Sequence, residues 1–224
     1  MRKKQLNLFE NRGHGGKRVG AGRPRVDKTL QLHTKRPDFS SQHPGHVVIR
    51  LLKGLPSFRT KAKFKIIKKS ILQARQKGLR IIHFSIQTNH IHLLIESENK
   101  EELAKGMQSF CTSLAKRINF ELNKRKGRVF RDRYYLHVLK TLREVKNTLI
   151  YIFQNYAKHT KAPNRFDPFS TLICFEEKIK LGLSKVNTYA IFKDKKRREE
   201  FKTELNHLIS PAESWFLRVG WKRA

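Results

Sequence analysis

Two histidines one residue apart, His90 and His92, stand inside the apolar stretch QTNHIHLLIE over residues 87–96. In a strand, residues i and i+2 project from the same face, so the two imidazoles sit side by side while Ile91, Leu93 and Ile95 turn to the other. That spacing suits two adjacent ligands of one divalent cation, and equally two hydrogen-bonded histidines at a sheet surface. A second group lies downstream, in LREVKNTLIYIFQNYAKH. At about 100° per residue, Leu142, Val145, Leu149, Ile152, Phe153 and Tyr156 form the core-facing stripe of a helix. Tyr151 falls outside it, roughly 180° from Leu142, and Asn155 lies only about 40° further round the same polar face. Phenol and amide therefore project together, which fits a functional site or a surface tyrosine lying over neighbouring stems.

These residues need a frame to position them. HVVIRLL, from about His46, reads as a short strand. Residues 57–77 read as a helix with Phe64, Ile67, Ile71 and Ala74 on one face and mostly Lys and Arg on the other. Gly78 stops that helix, and LRIIHFSI alternates as a strand. Gln87-Thr88-Asn89 is turn-like, so 90–96 returns as the second arm of an antiparallel hairpin. Leu103, Met107, Phe110, Leu114 and Ile118 mark a helix over 101–123, with Gly127 beyond it. Residues 133–139 form a strand, and the tyrosine-bearing helix runs from Leu142 to about Lys158. The order is β-α-β-β-α-β and then α. The expected class is α+β: a ferredoxin-like (RRM-like) split βαβ antiparallel sheet with an added C-terminal tyrosine-bearing helix. His83 and His137 fall in strands and read as hydrogen-bonded sheet histidines. Beyond Pro163 and Pro168, a charged helix over 191–209 leads to a Trp-containing end. The expected domains are a basic Gly/Arg-rich tail over 1–40, the main domain over 41–160 and a helical extension over 161–224.

Composition narrows the partner. The 224 residues carry 50 Lys+Arg against 18 Asp+Glu, a formal charge of +32, and a polyanion relieves that self-repulsion. Nucleic acid is the leading partner; no apolar run is long enough to span a membrane. The first residues lack the apolar block of a secretory signal, so the expectation is a cytoplasmic, nucleoid-associated protein. Cys111 and Cys174, each within an apolar pattern, read as reduced thiols, which argues against a disulfide or a zinc site. In the tail, Gly22-Arg23-Pro24-Arg25 resembles the core of an AT-hook, whose arginines enter a narrow minor groove, here Arg23 and Arg25; the plainer reading is a flexible tail that solubilises the chain or binds DNA nonspecifically. Other candidate phosphate contacts are Lys61, Lys65, Lys68 and Lys69 on the first helix and Arg131 and Arg133 before the last strand.

Three blocks in order resemble the single-tyrosine HUH transposases, including the REP-associated tyrosine transposases: NHIHLL (89–94), VFRDRYYLHV (129–138) and YIFQNYAKH (151–159). The resemblance covers about residues 47–159. It implies that Tyr151 attacks a phosphodiester of single-stranded or hairpin DNA and becomes linked to the new 5′ end, releasing a 3′-hydroxyl. It implies that His90, His92 and Asn155 hold Mg²⁺ or Mn²⁺, with Gln154 or His159 as second choices for the third position. The chemistry suits the residue types, because a phenol of pKa about 10 is a weak nucleophile at neutral pH unless the site assists it. The protein would act as a monomer or a homodimer. Tyr156 stands where the family often has proline. Two other readings remain: a non-catalytic module that binds RNA or repeat DNA, and a domesticated transposase with a regulatory role.

Overall fold

The computed structural model describes residues 36–160, 166–175 and 194–224, without the side chain of His159. Four strands, β1 (Gly45–Arg50), β2 (Arg80–Ile86), β3 (His90–Glu96) and β4 (Tyr135–Val138), form one antiparallel sheet in the order β2-β3-β1-β4. With α1 (Lys61–Arg75) between β1 and β2, and α2 (Lys100–Glu121) between β3 and β4, this is the expected split βαβ arrangement. Then come α3 (Leu142–Thr160), α4 (Lys195–Leu208) and a short terminal helix, α5 (Trp215–Arg218).

Alternation along the strands separates two cores. Val47, Ile49, Ile91, Leu93 and Ile95 point to one face, where they meet Phe64, Ile67 and Ile71 of α1 and Leu103, Met107, Phe110 and Leu114 of α2. Each such side chain contributes about 1.5–3 kcal/mol on burial. The layer is tight where α2 crosses the start of β2: a Cβ on Gly106 would stand 2.4 Å from that of Leu79. On the opposite face, Leu94 and Ile82 are covered by Val145, Leu149, Ile152 and Phe153 of α3, with Phe175, Leu217 and Trp221 closing the layer. The tyrosine-bearing helix thus lies on the sheet face that α1 and α2 leave uncovered.

Several boundaries differ from expectation. The first helix starts at Lys61, not at residue 57, because Thr60 caps it by accepting from the Lys63 amide. The preceding chain is extended and tucks Phe58, fully buried, beside the β2–β3 turn, with its amide on the Thr88 carbonyl. The last strand starts at Tyr135, not 133, because the Asp132 side chain accepts from the Arg133 amide and holds a local turn there. The second helix ends at Glu121, followed by Asn123 and Lys124 at φ 54° and 58°. The charged C-terminal helix covers Lys195–Leu208, and residues 191–193 of the expected span lie outside the described residues. Cys111 and Cys174 are free thiols, and burial pushes Cys111 up to about 12. No helix among the described residues is long and apolar enough to cross a membrane.

The C-terminal extension packs onto the domain through β3. Glu96, 1% exposed, accepts hydrogen bonds from the Glu213 amide (2.9 Å), the Ser214 amide (3.1 Å) and the Ser214 hydroxyl (2.6 Å), with Arg80 alongside. That anchor lets Trp221 pack against α3.

Candidate active site

The outer sheet face carries His46 and Val48 from β1, Ser85 from β2, His90 and His92 from β3, and His137 from β4. In the ladder, His92 stands opposite both Val48 and Ser85, and His46 stands opposite Leu94 and His137. His46 is therefore the diagonal neighbour of His92, within reach of a long side chain. Its Nε2 lies 3.1 Å from His92 Nδ1, with ring centroids 5.3 Å apart and planes 24° apart. The His90 and His92 rings are 4.7 Å apart and nearly perpendicular. His90 Nδ1 lies 2.8 Å from Asn89 Oδ1; an amide oxygen only accepts, so Nδ1 carries the proton and Nε2 the lone pair.

Tyr151 arrives from α3 with its ring centroid 5.1 Å from that of His92, edge-on at 89°, and 6.1 Å from that of His46. It remains 41% exposed. Lys158, two turns along the helix, places its ammonium 6.0 Å from the Tyr151 ring centre. An open cleft of about 450 Å³ lies here, lined by His46, Thr148, Tyr151 and Lys158 among others. His46, which sequence reading missed, is held well below its ordinary range, at about 4, by burial first and by His137 second. It is a neutral imidazole at neutral pH.

Asn155 departs from expectation. It does not lie on a solvated face: it is 2% exposed, as Thr148 is largely buried, so the inward arc of α3 is wider than its apolar stripe. Its Nδ2 has no hydrogen-bond partner among the described residues, a shortfall of about 1–3 kcal/mol. Gln154 is only half-buried. The Asn155 amide oxygen and a histidine with its lone pair on Nε2 are an oxygen and a nitrogen donor that one divalent cation can take, whereas the orphaned Nδ2, an N–H group, calls for an acceptor. Among the described residues, no three His, Cys, Asp or Glu side chains form a metal cluster.

The candidate DNA contacts are dispersed. Lys61, Lys65 and Lys69 are exposed on α1, on the far side of the sheet from Tyr151, and Lys68 pairs with Glu204 while lying over the Phe64 ring. Arg131 and Arg133 are half-buried ahead of β4, the Arg131 amide donating to the Arg50 carbonyl. Arg23, Arg25 and the His159 side chain lie outside the described residues. His83 is a sheet histidine, fully enclosed between Phe153 and Phe175 with Nδ1 3.2 Å from the Thr171 hydroxyl. His137 pairs with Glu144 at 3.3 Å.

Similar solved structures include a REP-associated tyrosine transposase bound to a REP hairpin, at 14% identity over 68% of this chain and 88% of that one, with a TM-score of 0.49. A protein from Deinococcus radiodurans named as a candidate transposase matches at 11% identity over 58% and 95%, TM-score 0.38. A bacterial tRNA(His) guanylyltransferase (Thg1)-like protein in complex with GTP matches at 14% identity over 57% and 69%, TM-score 0.43. No curated protein matches the sequence. Residues 40–155, just over half of the chain and the part that builds the sheet and carries His90, His92, Tyr151 and Asn155, match the family described as IS200-like transposase. The chain belongs to the IS200-like transposase family.

Proposed function

We propose that this transposase nicks and rejoins single-stranded DNA, at hairpin or repeat ends, through a 5′-phosphotyrosine intermediate on Tyr151. The observation that carries the reading is the meeting of Tyr151 with His92, from elements far apart in sequence, at a ring-centroid distance of 5.1 Å. His90, His92 and Asn155 would hold Mg²⁺ or Mn²⁺, which when bound neutralises charge on the scissile phosphate and on the leaving oxygen. The Tyr151 oxygen bonds to phosphorus as the P–O3′ bond breaks. The 5′ phosphate stays on the tyrosine, and the 3′ oxygen leaves as a hydroxyl, its proton balancing the one the phenol gives up. The bond energy is retained, so the 3′-hydroxyl of another strand can reverse the step.

Exposure of Tyr151 admits a strand from the cleft side, where the Lys158 ammonium favours the phosphate. Lys61, Lys65, Lys68, Lys69, Arg131 and Arg133, with Arg23 and Arg25 of the tail, supply phosphate contacts that position DNA without reading it. Residues 41–160 hold the chemistry in this reading. An RNA-binding module of this fold stacks bases on its open sheet face, whereas α3 covers that face here.

A single-stranded hairpin oligonucleotide labelled at one end, incubated with Mn²⁺ and run on a denaturing gel, tests this. The 3′-label should move with the protein and the 5′-label should leave on the released fragment. Chelator or Tyr151→Phe should abolish the adduct; the same adduct from Tyr151→Phe would refute the assignment.

A further inference from the structure

We infer that His46 is a positioning residue for His92: its Nε2 accepts the His92 Nδ1–H and so holds His92 in the tautomer whose Nε2 carries the lone pair. The direction of the bond and the use of that lone pair rest on the metal reading above; the contact itself rests on the geometry of this chain. The two nitrogens are 3.1 Å apart, and at that distance one ring must donate and the other accept. Were His46 the donor, the proton of neutral His92 would sit on Nε2 and its lone pair would be spent on His46. With His92 as donor, the strand presents two histidines in the same tautomer, since His90 donates its Nδ1–H to Asn89 Oδ1.

The two acceptors differ in a way that follows from their places. His90 is at the start of β3, and the side chain of its own neighbour in the turn supplies the amide oxygen. His92 is 2% exposed in mid-strand, and the partner that meets its Nδ1 comes from the neighbouring strand. His46 reaches it from the diagonal position on β1, with Val47 and Ile49 anchored in the core on the other face. Ligating histidines commonly donate their second N–H to a carboxylate or carbonyl. A carboxylate at position 46 would put a negative charge beside Tyr151, where a phosphate must approach; an imidazole nitrogen accepts without adding one. The near-parallel stack, 24° between planes, and the Tyr151 edge against both rings restrict rotation of His92 as well.

The test uses the full chain and two substitutions, His46→Gln, whose amide oxygen can accept, and His46→Leu, which cannot. Histidine ¹⁵N NMR on metal-free protein reads the His92 tautomer, and Mn²⁺ titration followed by electron paramagnetic resonance reads the ion. Wild type and His46→Gln should show His92 protonated at Nδ1, and His46→Leu should lose that preference. Mn²⁺ affinity should fall about 10–100-fold in His46→Leu and stay within a few-fold in His46→Gln. A His92 protonated at Nε2 in wild type, or a His46→Leu chain with unchanged tautomer, would overturn the inference. So would the loss of one Mn²⁺-coupled imidazole nitrogen in His46→Gln, which would make His46 a ligand itself. Should wild type bind no Mn²⁺, the metal reading fails, and the tautomer comparison still decides the hydrogen bond.

Discussion

The guanidinium of Arg59 lies 3.9 Å from the centre of the Tyr156 ring, one residue from Asn155 on the tyrosine-bearing helix. Its other contacts tie that helix down: it donates to the Ile86 carbonyl (2.6 Å), to both carboxylate oxygens of Asp167 (2.8 and 3.1 Å), and stacks on Phe169. The tyrosine at the position where the family often has proline is thus a packing partner. Arg59→Ala would leave the Asp167 carboxylate, 2% exposed, buried and unpaired, at a cost of about 3–5 kcal/mol. Arg59→Lys keeps the charge but loses the fork, so it should fall between the two. Urea denaturation checks this; an Arg59→Ala chain as stable as wild type would contradict it.

Acid should destabilise the fold through His83. Burial lowers its pKa from 6.5 to about 3. Between those values the unfolded chain binds a proton that the native chain does not, so stability falls as pH falls, by about 1.4 kcal/mol per unit for this group. Above pH 6.5 it has no effect. His46 acts in the same direction down to about 4. Denaturant unfolding from pH 7 to 4.5 should fall less steeply for His83→Leu than for wild type; parallel curves would mean that His83 is protonated in the native state.

If His90, His92 and Asn155 form the proposed ligand set, the histidines and the amide are unequal. His90→Ala or His92→Ala leaves two weak donors for a hard cation, and cleavage should be abolished while most DNA binding, from phosphate contacts elsewhere, remains. Asn155→Ala should retain partial activity that rises with Mn²⁺, because water can occupy an oxygen position. Cleavage measured against Mn²⁺ concentration separates these. Normal cutting by both histidine variants with chelator present would make the histidines structural.

Binding should be salt-dependent through phosphate contacts. Removing residues 1–40 should weaken binding and flatten the plot of log affinity against log salt, while adduct formation persists on saturating DNA. Replacing Lys65 and Lys69 by Ala should reduce the slope by about 0.7 for each single-strand phosphate that their ammonium groups neutralise. An unchanged slope in either case removes that element from the interface.

What could be read in advance was local. Alternation in HIHLLIE separates the histidine face from Ile91, Leu93 and Ile95, and period-3.6 stripes give the core faces of α1, α2 and α3. The position of His46 beside His92 was not legible, because it depends on the β1–β3 register, a long-range pairing that no local pattern states. The burial of Asn155 and Thr148 was hidden for a related reason: a helix lying on a sheet buries its polar flanks as well as its apolar stripe. Thr60 and Asp132 moved two boundaries through local side-chain hydrogen bonds, three residues and one residue along the chain, that a reading by apolar periodicity passes over.

The central claim is that Tyr151, and no other tyrosine, carries DNA. Trapping the adduct on a single-stranded hairpin with Mn²⁺, digesting the DNA to a short stub and sequencing the peptides by mass spectrometry tests it most directly. A 5′-phosphonucleotide is expected on Tyr151 alone, with Tyr156, stacked on Arg59, unmodified. A nucleotide on Tyr156 or on a tyrosine outside α3, or a cleaved strand with no protein attached, would contradict it.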